Sequence, residues 1–194
     1  KNADPGYFYD VTVLQRNIAW DKQERMRVFF KRFPNMNLRF TNVDQELAGY
    51  DLSTNNAHIS VETYYRFLIQ KVLPFYDKVL YLDSDIIING DIAKLYNIDL
   101  QGKLLGAVRD IDFLGNLNVK HGKRMNYAKT VLKMQNPYDY FQAGVLVLNT
   151  KAMREHYTIR QWLTYASNPN FIYNDQDVLN THSEGNVMYL PWEW

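Results

Sequence analysis

Hydrophobic and polar positions alternate between two periods along the chain, and the order of those periods predicts its elements. "YFYDVTVLQ" (7–15) is dense in aromatic and β-branched residues and predicts a strand. "DKQERMRVFFKRF" (21–33) then predicts a helix. Met26, Phe29, Phe30 and Phe33 share one face, Asp21 and Glu24 have capping-box spacing, and Pro34 marks the stop. "NLRFTNV" (37–43) predicts a second strand, so the chain opens as an α/β sheet. Ser60 is placed to cap a helix over "VETYYRFLIQKVL" (61–73), whose stripe is Val61, Tyr64, Tyr65, Leu68 and Val72, with Arg66 off the stripe.

Further on, "KVLYLD" (78–83) predicts a strand, 92–96 a helical turn, and "LLGAVRD" (104–110) another strand. The polar stretch 111–140, with a short helix at 127–134, reads as an excursion over a site rather than core. "FQAGVLVLN" (141–149) is almost continuously apolar, as expected of a strand covered on both faces. A helix over 152–165, a capped helix over "NDQDVLNTH" (174–182) and a last strand in "NVMYLP" (186–191) complete the pattern. No repeat, low-complexity tract or linker divides it.

Composition narrows this picture in three ways. A length of 194 residues with 46% hydrophobic content predicts one globular domain and excludes a disordered chain. Lys and Arg number 22 against 21 Asp and Glu, so no basic field exists to gather nucleic acid. Zero cysteines exclude disulfides, thiolate metal sites and cysteine nucleophiles, and are compatible with a reducing compartment. No apolar run reaches the roughly 20 residues a bilayer span needs.

The candidate chemistry begins where the strand at 78–83 meets Asp83, Ser84 and Asp85. In extended geometry Asp83 and Asp85 leave the same face of a sheet, at the carboxyl end where α/β folds place ligands. Two carboxylates sharing a small space raise each other's pKa, and a hard divalent cation relieves that. Asp91 reads as an ordinary helix cap. Two chemistries use such a strand end. One is a haloacid-dehalogenase-like phosphatase with an aspartate nucleophile, although the motif then belongs on the first strand. The other is a metal clamp on the diphosphate of a sugar nucleotide.

Three stretches in order decide between them: "TYYRFLIQKVLPFYDKVLYLDSDIIINGDIAKLYNIDL", "FQAGVLVLNTKAMR" and "NDQDVLN". Together they resemble glycosyltransferase family 8, and the resemblance runs from Tyr7 to Trp194. It implies a single GT-A domain, α/β with a Rossmann-like, mostly parallel sheet and helices on both faces. The implied activity is retaining, metal-dependent transfer of a hexose, galactose or glucose, from a UDP-sugar to a glycan, lipid-linked or protein-linked acceptor. Such enzymes build bacterial lipopolysaccharide or other cell-surface glycans. A cytoplasmic location, with peripheral membrane association through a C-terminal region, is implied with it. A degenerate domain that binds sugar nucleotides without turnover is the nonenzymatic alternative.

Residue by residue, the resemblance implies Mn2+ or Mg2+ between Asp83, Asp85 and the UDP phosphates, with Ser84 offering backbone near the ribose. Arg66 matches the donor-contacting arginine and Asp110 an acid that hydrogen-bonds the donor sugar. Gln142, Ala143 and Gly144 match Phe-Asn-Ala-Gly, Gln142 replacing the usual asparagine by an amide one methylene longer, which bears on sugar preference. Asp175 and Gln176 match residues flanking the anomeric carbon opposite the leaving group. An amide is a poor nucleophile but stabilises developing positive charge, which favours front-face attack. Asp177 is read as orienting the loop or capping the helix.

The chain departs from the family at both ends. No Ala-x-Asp-x-x-Tyr-like strand precedes Tyr7, and "HSEGNVMYLPW" only imitates the family's His-x-x-Gly-x-x-Lys-Pro-Trp segment. His182 is therefore read as no metal ligand, and His58, His121 and His156 have no partner spacing. The expectation is a catalytic domain over 1–194 that is incomplete at both ends, lacking the nucleotide-binding strand, which is the central strand of the sheet, and one metal ligand.

Overall fold

The structure is a computed structural model that describes residues 2–52 and 60–194; His58 lies outside them. Strand β1 (Tyr9–Gln15), helix α1 (Trp20–Phe30) and strand β2 (Met36–Asn42) come first, followed by the short helix α2 (Asp44–Leu47). A 3-10 helix over Val61–Leu68 runs into α3 (Ile69–Val72), followed by β3 (Val79–Leu82), α4 (Ile92–Tyr96) and β4 (Leu105–Arg109). Helices α5 (Ile111–Leu117) and α6 (Arg124–Thr130) separate β4 from β5 (Phe141–Leu148). Helices α7 (Thr150–His156), α8 (Ile159–Ala166) and α9 (Asn174–His182) and strand β6 (Val187–Tyr189) follow.

The α/β class stands, and the sheet is mixed. β1 pairs with β2 in parallel, and β4 with β6 in parallel, while β5 runs antiparallel to both β3 and β4. The mostly parallel arrangement expected from the sequence is thus broken by β5, because the long excursion after β4 returns the chain on the adjacent line in the opposite sense. Among the described residues no ladder joins β1 to β3, so the strands form a two-stranded and a four-stranded sheet. Side chains cross that boundary: the Tyr9 hydroxyl donates to Asp91 Oδ1 at 2.6 Å, and the Tyr76 hydroxyl donates to Asp10. Arg39 Nη2 reaches both Asp10 Oδ2 at 2.6 Å and the Tyr76 oxygen at 3.1 Å.

The core lies around β4 and β5, whose Leu105, Ala107, Leu146, Val147 and Leu148 are buried, as apolar central strands require. Trp162 of α8 is fully buried and stacks on Phe67 at 5.3 Å between ring centroids. β3 is an edge of its sheet and is only half-buried along its length.

Several expectations change. The apolar face of α1 is not core: none of its residues is buried, and Met26 and Phe29 are exposed, because a two-stranded sheet offers little surface to cover. Its N-cap is Ala19, which has no capping oxygen, so Asp21 sits in the first turn and no capping box forms. Ser60 makes no side-chain cap to the 3-10 helix. The excursion 111–140 is not merely a cover, since Phe113, Leu117, Tyr127, Leu132 and Tyr140 join the main core. The helix expected over 152–165 is split between α7 and α8, and Thr158 and Gln161 supply a complete capping box at the restart. Asp91 caps α4 as expected, accepting from Ala93 N at 3.0 Å. Among the described residues no helix is long and apolar enough to cross a membrane.

Candidate active site

β3 ends at Leu82, and the chain turns at once, so Asp83, Ser84 and Asp85 lie on a turn rather than on extended strand. The shared-face argument from strand period therefore does not hold them together; the turn itself carries them. Asp83 is half-buried, while Ser84 and Asp85 are exposed. Asp83 stays tied to the sheet because its N–H donates to Gly144 O at 2.8 Å, extending the β3–β5 pairing by one bond. A Cβ at Gly144 would lie 2.9 Å from Asp83 Oδ2, so any larger residue there pushes that carboxylate aside.

Arg66 brings the distant motifs into contact. It lies buried rather than off the apolar stripe, because the 3-10 helix turns a continuous run from Tyr64 to Gln70 inward. Its Nη2 meets Asp83 Oδ1 at 3.2 Å, its Nε meets Asp175 Oδ2 at 2.9 Å, and its Nη1 donates to Ala143 O. The Tyr81 ring lies under the guanidinium at 4.5 Å, and its hydroxyl donates to Asp83 Oδ1 at 2.7 Å. Burial drives the Tyr81 phenol well above its ordinary pKa, so that hydroxyl remains a donor.

Asp175 is buried, with Oδ1 taking the Thr63 hydroxyl and Oδ2 taking Arg66. Burial raises its pKa, and the Arg66 charge opposes the rise. Gln176, next to it, is half-buried and faces the other way. Its Nε2 donates to Asp110 Oδ2 at 2.8 Å and its Oε1 accepts from Ala143 N at 3.0 Å. Asp110 also caps α5, its Oδ1 accepting from Phe113 N at 2.8 Å. Gln142 folds back on its own strand, Oε1 accepting from Gly144 N at 2.6 Å and Val145 N at 3.1 Å. Its carbonyl is thereby used, which leaves the NH2 as the end able to reach a ligand.

Ten predicted positions thus fall into two layers. Arg66, Asp83, Asp110, Gln142, Ala143, Gly144, Asp175 and Gln176 form one connected network, while Ser84 and Asp85 stand at its exposed edge. Sequence reasoning missed Thr63, Tyr81 and Tyr140. Tyr81 was accessible to it, since it lies two residues before Asp83 and so on the same side of an extended chain. Tyr140 had no such signal, because its partners are 36 and 37 positions away. His182 packs among rings, stacked on Tyr165 at 3.6 Å.

A divalent metal fits this edge. Among the described residues Asp83 Oδ2 and both Asp85 oxygens carry no hydrogen bond or ion pair, leaving hard oxygen donors free beside a neutralised Oδ1. Among the described residues no group of three or more His, Cys, Asp or Glu that could hold a metal ion occurs.

Comparisons with known proteins give the family and the fold. Glycosyltransferase GlyF of Streptococcus pneumoniae is 32% identical over 158 residues, 80% of this chain and 34% of the relative. Lipopolysaccharide 1,2-glucosyltransferase of Escherichia coli K12 is 28% identical over 123 residues, 61% of this chain and 33% of the relative. The chain spans about a third of the length of such curated relatives. Among solved structures, the bifunctional glycosyltransferase WbbM superposes with a TM-score of 0.87 at 31% identity, over 100% of this chain and 35% of that one. An active-site mutant of LgtC with glutamine changed to glutamate gives 0.75 at 28% identity, over 96% and 64%. The fold is thus of the GT-A type. The sequence model of glycosyl transferase family 8 matches residues 2–194, and the chain belongs to that family.

Proposed function

We propose that this chain is the catalytic part of a retaining hexosyltransferase that uses UDP-glucose or UDP-galactose and a glycan, lipid-linked or protein-linked acceptor. The observation that carries the reading is the meeting of Asp83, Asp175 and Ala143 on one guanidinium, which packs three separate stretches of sequence around a single point. Asp83 and Asp85 would hold Mn2+ or Mg2+, with Ser84 beside the ribose. The ion supplies charge neutralisation for the departing diphosphate.

The rest belongs to the chain's own groups. Asp110 accepts from sugar hydroxyls, and the Gln142 NH2 donates to them. Gln176 keeps its Oε1 on Ala143 N and its NH2 on Asp110 and sets the amide beside the anomeric carbon, where the second lone pair of Oε1 stabilises positive charge in front-face attack. Asp175 acts from behind by holding Arg66 against Asp83. The reading carries a cytoplasmic location, compatible with the absence of cysteine, and contact with the membrane periphery through sequence C-terminal to this chain.

UDP release from UDP-glucose and UDP-galactose, with and without manganese, tests it. Turnover that needs manganese and disappears in Asp83→Asn and in Asp85→Asn is expected. Unchanged turnover in either variant would remove the metal role, phosphate release from a phosphomonoester without UDP release would select a phosphatase, and calorimetric binding without turnover would select a degenerate domain.

A further inference from the structure

We propose that Asp177, acting through the Tyr140 hydroxyl, is a positioning residue that fixes which end of the Gln176 amide faces the donor site. The inference rests on the reading of Gln176 as a donor-facing group. An amide's two ends have the same shape, and only the donors and acceptors around them decide which way round it sits.

Asp177 is wholly buried, and both oxygens accept hydrogen bonds. Oδ1 accepts from the Tyr140 hydroxyl at 2.7 Å, while Oδ2 accepts from the Tyr127 hydroxyl at 2.5 Å and from Tyr173 N at 2.7 Å. Those donors hold the anion in a place where burial raises its pKa. Tyr127 has no freedom, because its oxygen already accepts from Ile172 N at 2.8 Å and its one proton must go to Asp177.

Tyr140 is constrained in the same way. Its single proton goes to Asp177, so toward Gln176 it presents only lone pairs, and Gln176 Nε2 donates to them at 3.3 Å. Asp110 Oδ2 is a second acceptor at the same amide end, at 2.8 Å. Ala143 N is a donor at the other end. The carbonyl of Gln176 therefore points along β5 and its NH2 points to Asp110. The Phe113 ring, stacked on Tyr140 at 3.5 Å, keeps the phenol from swinging away.

An asparagine at 177 would break this chain of polarity without altering its shape. Its carbonyl is best placed on the Oδ2 side, where two donors converge, so its NH2 meets Tyr140. The Tyr140 proton must then turn to Gln176, which faces a donor where it had an acceptor. Flipping Gln176 to accept it sets NH2 against Ala143 N. Removing the Tyr140 hydroxyl as well removes the conflict.

The test compares Asp177→Asn, Tyr140→Phe, the double variant and Tyr127→Phe. Two signals are read: the side-chain amide 15N–1H resonances of Gln176, identified by their loss in Gln176→Glu, and the steady-state kinetics of UDP-sugar turnover. Asp177→Asn is expected to move the amide pair and lower kcat about tenfold or more, with KM for UDP-sugar within about twofold. Adding Tyr140→Phe is expected to bring the amide pair to its position in Tyr140→Phe alone and kcat to that variant's level, because Asp110 and Ala143 N still orient the amide once the misdirected hydroxyl is gone. A double variant no better than Asp177→Asn overturns the proposal. If Asp177→Asn does not fold, the single tyrosine variants decide: Tyr140→Phe shifts the Gln176 signals and Tyr127→Phe does not, and equal shifts overturn the proposal. The resonances do not depend on turnover, so an inactive wild-type protein would sink the functional reading while leaving the positioning test intact.

Discussion

Replacing Arg66 by methionine keeps an apolar stem in the same channel and removes the cation paired with Asp175. Both partners are buried, with side chains 6% and 5% exposed, so the loss leaves a carboxylate with no way to water. Breaking a buried pair from one side costs about 3–5 kcal/mol. Asp83, a third exposed, adds little, because solvent screens it. Protonation sets the ceiling on the charge part. Asp175 escapes by taking a proton, at about 1.4 kcal/mol for each unit by which pH exceeds the ordinary unfolded-chain value of about 3.9, so the electrostatic penalty stays under about 4.2 kcal/mol at pH 7 and under about 1.5 at pH 5.

Urea unfolding of the wild type and Arg66→Met at the two pH values measures both. The expected loss is about 4 kcal/mol at pH 7, a fall in Tm of about 8–15 °C for a chain of this length, with at least about 1.5 kcal/mol recovered at pH 5. Arg66→Met combined with Asp175→Leu should regain about 2 kcal/mol over the single variant, since an apolar pair replaces a buried ion pair at little cost. A loss below about 1 kcal/mol at pH 7, or one that does not shrink on acidification, would refute the reasoning.

Two other expectations follow from the structure. Gly144→Ala places a Cβ 2.9 Å from Asp83 Oδ2 and 3.2 Å from Gln142 Oε1, so manganese-dependent UDP release should fall about tenfold or more while circular dichroism stays unchanged; full activity would show that Asp83 has room to move. Burial lowers the pKa of His182 below 6.5, so its contribution to stability is complete above that pH and is lost as pH falls through the folded-state pKa. Urea midpoints from pH 7.5 to pH 5 should decline less in His182→Phe than in wild type, and parallel declines would exclude the histidine.

How much of this was legible depended on how far apart the deciding residues lie. The α9 boundaries, the β5 strand and the Asp91 cap could be read locally, because each rests on the identity of a few adjacent side chains. The expected burial of α1 failed because periodicity reports which face is apolar, not whether anything packs on it. Arg66 was placed on the wrong side because the 3.6-residue period does not apply to a 3-10 helix. Resemblance brought Asp83, Asp175 and Ala143 to one site, but the guanidinium that joins them, and the Tyr140 and Tyr127 hydroxyls behind Gln176, depend on contacts tens of residues apart. No window of local sequence carries that information.

The boundary between the two sheets also sets how the molecule breathes. Within each sheet, backbone ladders must all break together, whereas β1, α1 and β2 meet the larger sheet through side chains such as Asp10, Arg39 and Tyr76, the first two exposed. Exposed ion pairs of this sort contribute about 0.2–1 kcal/mol each. Leu14 of β1 packs on the main core and Val43, just after β2, belongs to it, so amide hydrogen exchange measures how far this apolar contact holds β1 and β2 to the protection of β4 and β5 across a seam whose polar contacts are weak.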